Sequence, residues 1–403
     1  MEDRPLTIAF YSPALPDSGV SNGIVTYTRI MRDALRALGH DVLVFTADQL
    51  ERSDGRIAAL PKPNRLVARI RMLLESRHAD GSHPWTRLRI LDGFREVRRL
   101  GADVVEIEES FGWAGRLAGQ GVAIVERLHG PHYLIRDRIG TPEQLSLGDM
   151  REAAEGASFE RVQAITSPTQ RLLVALIAHY GLEPGLARAI PNPMPVAPAA
   201  RQWRRDRVNP DQILCVGRFD FVKGADVVLR AFAAALERRP SLSLMMAGPD
   251  SGLAQPDGGA LHFAEFAAKE LTPAVCARVQ FLGPLPPERI AELRLQSGFS
   301  FVGSRFETFA YSIAEAFAVG MPVLATDTIG GSAMIRDGVE GRLVPIGDVS
   351  SMADAMVGMA SDPTRLAEMG RAAYARAADW LSPERIARET VEVYRQAMAS
   401  LKR

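Results

Sequence analysis

The sequence predicts an α/β chain with two parallel-sheet domains, and three observations lead to this prediction. The chain has 403 residues, more than one hydrophobic core normally serves. Both halves contain the order strand, turn, helix, strand, which is typical of a parallel sheet. Between them, residues 190–198 hold four prolines in nine positions, which fixes an extended path and forbids a helix. We therefore expect domains at 1–192 and 193–382.

Composition narrows the function classes. The apolar fraction of 47% and the charged fraction of 24% are ordinary for a globular protein, and 48 basic residues balance 48 acidic ones. This balance gives no reason to expect a nucleic-acid partner. There are only two cysteines, Cys215 and Cys276, and neither a signal peptide nor an apolar run of eighteen residues is seen. We expect a cytoplasmic protein, with peripheral contact at the inner face of the membrane left open.

The first half begins with an apolar strand at 6–11, a long loop rich in glycine, serine and proline, a helix, and a strand at 41–46. No Gly-x-Gly-x-x-Gly occurs in that loop, which disfavours a nicotinamide site. Gly23 lies in the loop and would serve as a turn residue with positive φ. Further strands are predicted at 103–107, 122–128 and 162–167, followed by a helix at 170–179.

Residues 52–99 form a basic segment with twelve Arg or Lys and five acids, a net charge of +7. Within it Leu66, Ile70, Leu73 and Leu74 fall at helical spacing. One interpretation is a surface that contacts anionic lipid or a lipid-linked acceptor. The other is a solvated helical face over the first sheet. The second is favoured, because Trp85 and Phe94 are the only aromatic residues in the segment.

In the second half, the strand predicted at 212–216 runs directly into a glycine turn. That turn carries Arg218 and Lys223 and leads into an amphipathic helix. Two cations beside the amino end of a helix are suited to bind phosphate. The alternative is two cations on a surface loop. Strands at 242–247 and 279–284 follow.

Residues 299–331 predict another strand–turn–helix–strand unit, with two carboxylates near its functional edge. Glu307 lies in the turn and Glu315 in the helix. The backbone N–H groups of Phe309, Ala310 and Tyr311, at the amino end of that helix, would favour an anion such as a diphosphate. The alternative makes Glu307 a dipole-stabilising acid of the first helical turn and Glu315 a solvated surface acid.

His129 follows the strand at 122–128, in a loop with Gly130, Pro131 and His132. A histidine at the end of a buried strand would point toward an interdomain site. The alternative is a histidine whose ring is satisfied by the backbone.

These motifs together carry a resemblance. The segment FETFAYSIAEAFAVGMPVLATDTIGG, with glutamates eight positions apart and a Gly-x-Pro-Val, resembles the family 4 retaining glycosyltransferases of the GT-B fold, also called glycosyltransferase group 1. Arg218 and Lys223 match the family's spaced Arg and Lys-Gly, and Asn22–Gly23 stands where the family usually has two glycines. Thr308 and Ala310 replace the two glycines that usually follow the first glutamate.

The resemblance implies two Rossmann-like domains that face a cleft, with a final helix in 383–403 that crosses back to the first domain. The first domain would bind the acceptor and the second the nucleotide sugar. Glu307 and His129 would be the catalytic residues, both near the sugar. The implied diphosphate contacts are Arg218, Lys223, Gly23, Phe309, Ala310 and Tyr311. The implied sugar and ribose contacts are Glu307, Thr308 and Glu315, and the implied base contacts are Gly248, Leu282 and Gly283.

The implied activity is retaining transfer of a hexosyl unit from a UDP- or GDP-linked sugar to a glycan, a lipid or a small-molecule acceptor. No Asp-x-Asp occurs, so no metal is expected, and no cofactor is expected beyond the donor substrate. Glu307 is a candidate nucleophile, and the alternative is a front-face route in which the departing phosphate takes the acceptor's proton. A nucleotide-sugar epimerase and a non-catalytic sugar-nucleotide-binding protein remain as alternative functions. The base, sugar and acceptor are left open.

Overall fold

The computed structural model describes residues 4–20, 22–62, 65–75, 80–134, 142–255 and 258–401. Arg77 of the basic segment lies outside these ranges. The chain divides into two compact units: the first comprises Met1–Pro193 and Pro383–Arg403, and the second Met194–Ser382. The division before Met194 falls inside the proline-rich segment, one residue after the predicted boundary.

An eight-stranded sheet forms the centre of the first unit. Its strands are β1 (Thr7–Tyr11), β2 (Asp41–Phe45), β3 (Gln49–Glu51), β4 (Ile57–Ala59), β5 (Val104–Glu108), β6 (Ala123–Arg127), β7 (Ala164–Ser167) and β8 (Ala187–Ala189). The order is β4-β3-β2-β1-β5-β6-β7-β8, and all pairs are parallel except β2–β3 and β3–β4. Strands β2 to β4 are added on one side of β1, and strands β5 to β8 on its other side. The point between β1 and β5 is therefore where the strand order reverses.

Helices cover this sheet. They are α1 (Gly23–Ala37), α2 (Arg65–Glu75), α3 (Pro84–Arg99), α4 (Trp113–Leu117), α5 (Pro142–Phe159), α6 (Gln170–Tyr180) and, from the end of the chain, α15 (Pro383–Ser400). Asn22 caps α1 by accepting from the Ile24 N–H at 2.8 Å, as a short polar side chain does at this position. The expected turn with positive φ at Gly23 is wrong, because Gly23 is the first residue of the helix.

The final helix α15 belongs to the first unit, as the resemblance implied. Its Tyr394 is buried and its hydroxyl donates to Glu106 Oε2 in β5 at 2.8 Å. Ile386, Ala387 and Val391 on the same helix are buried. A buried apolar stripe with one satisfied hydroxyl therefore fixes the chain's end against the first sheet.

A six-stranded, fully parallel sheet forms the centre of the second unit. Its strands are β9 (Asn209–Val216), β11 (Ser243–Ala247), β14 (Val279–Phe281), β15 (Ser297–Val302), β16 (Val323–Thr326) and β17 (Gly341–Val344), in the order β14-β11-β9-β15-β16-β17. A smaller sheet joins β10 (Phe219–Asp220), β12 (Asp250–Ala254) and β13 (Ala260–Leu261). The main sheet reverses its direction of growth between β9 and β15.

The helices of the second unit are α7 (Ala225–Arg238), α8 (Phe263–Glu270), α9 (Pro273–Cys276), α10 (Pro287–Arg294), α11 (Tyr311–Val319), α12 (Ile329–Met334), α13 (Val349–Ser361) and α14 (Pro363–Trp380). Strand β15 is buried along its whole length, which explains the continuous apolar run that predicted it. Both units are thus parallel-sheet α/β domains. Within the described ranges, no helix has the length and apolar character needed to cross a bilayer.

Candidate functional site

The candidate site of the second unit lies where β9 and β15 end. Open α/β sheets bind ligands at such a reversal point, beyond the carboxyl ends of the strands. A Cβ on Gly224 would fall 2.0 Å from the Gly303 carbonyl oxygen, so the loops after the two strands meet backbone to backbone. A pocket between these loops is lined by Cys215, Val216, Gly217, Arg218, Lys223, Ala225, Val228, Met246, Phe301, Val302, Gly303, Ser304, Glu307 and Ser312. Three predicted site residues, Arg218, Lys223 and Glu307, therefore share one pocket.

Lys223 and Glu307 contact each other in this pocket. Lys223 Nζ lies 2.5 Å from Glu307 Oε1, and the same oxygen accepts from the Ser304 hydroxyl at 2.8 Å. Glu307 is buried and lies before the Ala310 cap of α11, so the alternative of a first-turn acid is wrong. Among the described residues no donor approaches Oε2. One oxygen of this carboxylate is thus fixed in place while the other is available to a ligand hydroxyl.

Arg218 lies at the mouth of the same pocket. Its side chain is half exposed, and its Nε donates to Asp220 Oδ2 at 2.6 Å. The other oxygen of Asp220 accepts from the Lys223 backbone N–H at 2.7 Å. Asp220 thereby orders both cations of the turn. The guanidinium keeps its terminal N–H groups for an anionic ligand.

The turn before α11 carries Thr308, Phe309, Ala310 and Tyr311. Phe309 and Ala310 are buried, and within the described ranges their backbone N–H groups donate to no acceptor. A Cβ on Gly330 would lie 2.8 Å from the Thr308 carbonyl carbon and 2.9 Å from the Phe309 nitrogen, so the start of α12 presses on this turn. The Gly330 N–H donates to the Glu307 carbonyl at 2.8 Å. Gly330, the first glycine of the Gly330–Gly331 pair, thus lies in α12 and supports the turn before α11.

Glu315 lies in α11 and is partly exposed. It pairs with Arg294, the last residue of α10, whose side chain is buried. The alternative of a free surface acid is therefore wrong, because this carboxylate neutralises a buried guanidinium. Sequence reasoning missed Arg294, and its helical context gave no signal of burial.

A second ion pair supports the turn that carries Arg218 and Lys223, and this pair was not predicted from the sequence. Arg305 donates two hydrogen bonds to the Asp226 carboxylate, at 2.6 and 2.8 Å. The central carbon of its guanidinium lies 4.0 Å from the Phe221 ring centroid. Burial alone would raise the pKa of Asp226, but the hydrogen bonds and charge of Arg305 outweigh it and the pKa is lowered. This pair holds the loop after β15 against the start of α7.

The three residues predicted to contact the base lie just after two neighbouring strands. Gly248 follows β11, and Leu282 and Gly283 follow β14. The Gly248 N–H donates to the Gly283 carbonyl at 2.9 Å, and the Leu282 N–H donates to the Met246 carbonyl at 2.8 Å. Gly248 has φ of 153°, and a Cβ there would lie 2.0 Å from the Gly217 carbonyl oxygen. The three residues are therefore adjacent to the loop that carries Arg218. The Leu282 carbonyl and the Gly283 N–H are one acceptor and one donor at this edge of the loop.

His129 lies in the first unit, directly after β6. Its backbone N–H and that of Gly130 both donate to the carboxylate of Glu109, at 2.9 and 2.6 Å. Its ring packs edge-on against Tyr27 at 5.2 Å. Burial, and then the charge of Arg127, lower the pKa of His129 to about 3, so the imidazole is neutral at physiological pH.

The pocket beside His129 lies at the reversal point of the first sheet. It is lined by Phe10, Tyr11, Ile24, Tyr27, Thr28, Glu106, Ile107, Glu108, Arg127 and His129. Gly23 is next to its lining residue Ile24. The guanidinium of Arg127 lies 4.8 Å from the Tyr27 ring centroid and donates to the Asn192 side chain at 2.6 Å. The strand predicted at 103–107 gave no sign that Glu106 and Glu108 line this pocket.

Two buried acids, Glu106 and Glu108, line that pocket, and two more buried acids, Glu109 and Glu126, lie nearby in the chain. Burial raises the pKa of Glu106 and of Glu108. For Glu109, burial and then the charges of Glu108 and Glu155 raise the pKa to about 8. Burial raises the pKa of Glu126 well above its usual value, although the Ser158 hydroxyl donates to it. The first unit therefore holds several carboxyls that favour the protonated form.

Comparison with known proteins identifies the family. The model of "Glycosyltransferase Family 4" matches residues 21–197, and that of "Glycosyl transferases group 1" matches residues 199–376. The chain belongs to the family 4, group 1 glycosyltransferases. The first model covers most of the first unit and the second most of the second unit.

Curated relatives of this glycosyltransferase carry the name D-inositol 3-phosphate glycosyltransferase. The protein of Rhodococcus opacus (strain B4) is 32% identical over 299 residues, which span 66% of this chain and 64% of that protein. The protein of Nocardia farcinica is 34% identical over 253 residues, 59% of this chain and 52% of that protein. The matches thus span about half to two thirds of the relatives' length.

Solved structures share the GT-B fold over nearly the whole chain. Sucrose-phosphate synthase from Thermosynechococcus elongatus superposes with a TM-score of 0.73 at 21% identity, covering 98% of this chain and 100% of that one. WaaG, a glycosyltransferase involved in lipopolysaccharide biosynthesis, gives 0.65 at 17%, with 94% and 98% covered. HepE of Anabaena, in complex with UDP and glucose, gives 0.62 at 16%, with 96% and 98% covered. At these identities the likeness concerns the fold alone.

Proposed function

We propose that this glycosyltransferase moves a hexosyl unit from a UDP- or GDP-linked sugar to a hydroxyl of a glycan, lipid or small-molecule acceptor, with retention of anomeric configuration. The main observation that supports this proposal is that Arg218, Lys223 and Glu307 line one pocket. It combines two cations for a diphosphate with a carboxylate for sugar hydroxyls. That combination matches the two chemically different ends of a sugar nucleotide.

Binding of the diphosphate rests on charge and on backbone donors. An ammonium has three donors, so Lys223 would keep its bond to Glu307 while it contacts a phosphate oxygen. Arg218 adds a second cation, and the Phe309, Ala310 and Tyr311 N–H groups lie at the amino end of α11. As the diphosphate leaves, these groups stabilise its growing charge. They support a mechanism that needs no metal ion and no cofactor.

The sugar and ribose contacts follow from the carboxylates. Glu307 would accept from sugar hydroxyls through Oε2, and the next residue, Thr308, would add its hydroxyl to the sugar contacts. Glu315 would accept from the ribose hydroxyls, because its pairing with Arg294 uses Oε2 and leaves Oε1. Gly248, Leu282 and Gly283 would meet the base through their backbone. His129, neutral and positioned by Glu109, would contact the sugar as a hydrogen-bonding group rather than as a charged acid.

The proposed transfer has a balanced course. The bond from the anomeric carbon to the diphosphate oxygen breaks, and a bond from that carbon to the acceptor oxygen forms on the same face. The acceptor's proton passes to the departing phosphate. Glu307 is held by Lys223 and Ser304 through one oxygen, which favours a positioning role over attack as a nucleophile.

The names of similar proteins support particular substrates. HepE was solved with UDP and glucose, which supports UDP among the candidate nucleotides. Relatives named for D-inositol 3-phosphate support a small phosphorylated polyol among the candidate acceptors, beside glycans and lipid-linked acceptors.

The proposal also includes a cytoplasmic location with peripheral contact at the inner face of the membrane.

The test begins with donor identity. Thermal shift with UDP, GDP and ADP, and then with their glucose, N-acetylglucosamine and mannose conjugates, should select one nucleotide. Transfer from that donor to acceptor candidates is then followed by mass spectrometry, and the anomeric configuration by proton NMR. Activity that persists in EDTA would support the metal-independent course. Donor incubated alone is the control, and formation of an epimer without acceptor would overturn the transferase proposal.

A further inference from the structure

Helix α2 is amphipathic, but its apolar side faces away from the protein. Leu66, Val67, Ile70, Leu73 and Leu74 expose 70, 41, 53, 65 and 51% of their surface. At 100° per residue these five side chains span an arc of about 120° on one side of the helix. A helix that covers a sheet normally turns this side inward. The favoured sequence interpretation is a solvated helical face over the first sheet, and the structure adds that the solvent-exposed face of α2 is the apolar one.

Ion pairs hold the opposite side of α2 against the protein. Arg71 Nη2 lies 2.7 Å from Asp92 Oδ1 on α3. Glu75 accepts two bonds from Arg116 on α4, at 2.7 and 3.0 Å. All four of these side chains are at least three quarters buried. The orientation is thus specified by charged contacts on two neighbouring helices, which leaves the apolar side directed outward.

Several basic residues of the segment 52–99 are buried inside the first unit and add no charge to its surface. Arg87 and Arg89 are fully buried, and Arg89 donates to the carbonyls of Ala47, Leu60 and Pro61. Phe94 is also buried, so it provides no anchor. The net charge of +7 therefore overstates the surface charge. Near α2, however, Lys62 and Arg69 are exposed, and Arg69 borders the apolar stripe.

We propose that the outward side of α2 is a membrane-binding surface, whose leucine and isoleucine side chains enter the headgroup region of an anionic bilayer. An interfacial helix needs a wide apolar arc with cations at its border, and α2 has both. The two acids of 52–75 do not oppose an anionic surface, because Asp54 pairs with Arg56 and Glu75 with Arg116. Negative lipid would attract the remaining cations. This surface acts independently of the transfer reaction.

The charges on α2 argue against a second copy of the chain as the partner that binds its apolar side. Two α2 helices packed along their stripes would bring the exposed Arg69 residues toward each other, and Glu75, the only acid in the sequence of this helix, points inward. Such a contact lacks the opposite charges that normally flank paired helices. An acidic bilayer supplies them.

The experiment is vesicle flotation of the full chain without donor or acceptor. Vesicles of equal parts phosphatidylglycerol and phosphatidylcholine should carry the protein upward, and pure phosphatidylcholine should carry at least about tenfold less. Ile70→Glu with Leu73→Glu should reduce binding to the anionic vesicles about tenfold or more, because two charges would enter the interface. The matched control is Val174→Glu, a 55% exposed apolar residue on α6, which should bind as the wild type does.

Equal flotation of the wild type and the double variant would overturn the inference. So would binding that is lost equally in Val174→Glu, or sedimentation showing that the variant abolishes a dimer while vesicle binding is absent. Tm measurements on each variant exclude unfolding as the cause. Because no substrate is added, flotation tests this surface alone. Vesicle binding here, together with no product in the separate transfer assay, would support the surface and refute the proposed reaction.

Discussion

Lys223 Nζ lies 2.5 Å from Glu307 Oε1, so the residue assigned to the diphosphate and the residue assigned to the sugar form one ion pair. They are separated by 84 positions in the chain and lie on loops after neighbouring strands. The pair neutralises a carboxylate that would otherwise repel a diphosphate. In the proposed donor site it also fixes the distance between the group for the diphosphate and the group for the sugar.

Glu307→Gln should abolish most turnover while leaving nucleotide binding nearly intact. Glutamine keeps a carbonyl oxygen for Lys223 and Ser304, but loses the charge that strengthens hydrogen bonds to sugar hydroxyls. We expect kcat to fall on the order of 10²-fold. Steady-state kinetics and calorimetry with the nucleoside diphosphate measure both effects. Transfer at the wild-type rate would refute the assigned role.

Lys223→Ala should weaken donor and nucleoside-diphosphate binding about tenfold or more, because a hydrogen bond to a charged group contributes about 1.5–3 kcal/mol. Isothermal calorimetry gives the Kd. Arg238→Ala is the matched control, since this exposed cation lies in the last turn of α7, about 20 Å along the helix from Lys223's end. Equal losses in both variants would point to a general charge effect instead of a specific contact.

Glu315 should show a double role, in ribose binding and in neutralising Arg294. Glu315→Gln keeps an oxygen for Arg294, so we expect a higher KM for the donor with little change in Tm. Glu315→Ala leaves the buried guanidinium unpaired, and we expect it to lower Tm as well. If both variants lower Tm equally and leave KM unchanged, the residue is structural only.

His129 should contribute to activity without titrating in the physiological range. Its pKa is lowered to about 3, so it is neutral throughout pH 5–8 and gains no charge as pH falls across that range. We expect His129→Asn to reduce kcat by a factor that is constant with pH. The ratio of wild-type to variant kcat between pH 5 and 8 checks this. A ratio that changes near pH 6.5 would show an ordinary histidine pKa.

The sequence was sufficient for the parallel strands and for the loops that hold Arg218, Lys223 and Glu307, because local patterns specify them. Partners distant in the chain were not predictable in this way. Tyr394 bonds Glu106 across 288 positions, and Arg294 meets Glu315 from a separate helix. The orientation of α2 was also missed, since periodicity shows that a helix has an apolar side without showing which way that side faces.

Buried acids in the first sheet escaped prediction for a related reason. In β5 the residues Glu106 and Glu108 alternate with valine and isoleucine, a pattern that normally marks a half-exposed strand. All five positions are nevertheless buried. Hydrogen bonds make this burial tolerable: Glu106 accepts from the distant Tyr394 hydroxyl, and Glu108 accepts from the nearby Ser110 N–H.

Glu126 should make the first unit less stable as pH rises. Its pKa is raised in the folded state, mainly by burial, so above about pH 4.5 the folded chain holds a proton that the unfolded chain has released. The free energy of unfolding therefore falls as pH increases toward the folded-state pKa. Glu126→Gln cannot titrate and still accepts from Ser158. We expect it to raise Tm at pH 8 by a few degrees and to change Tm little at pH 4.5.

Glu96→Gln is the matched control for this prediction. The Arg99 hydrogen bond lowers the pKa of Glu96, so its stabilising contribution is present above the unfolded pKa and is lost in acid. We expect this variant to lower Tm slightly at pH 8, the opposite sign from Glu126→Gln. Scanning calorimetry at both pH values measures the two differences. If Glu126→Gln gives the same shift at pH 4.5 and pH 8, the carboxyl does not titrate as its burial requires.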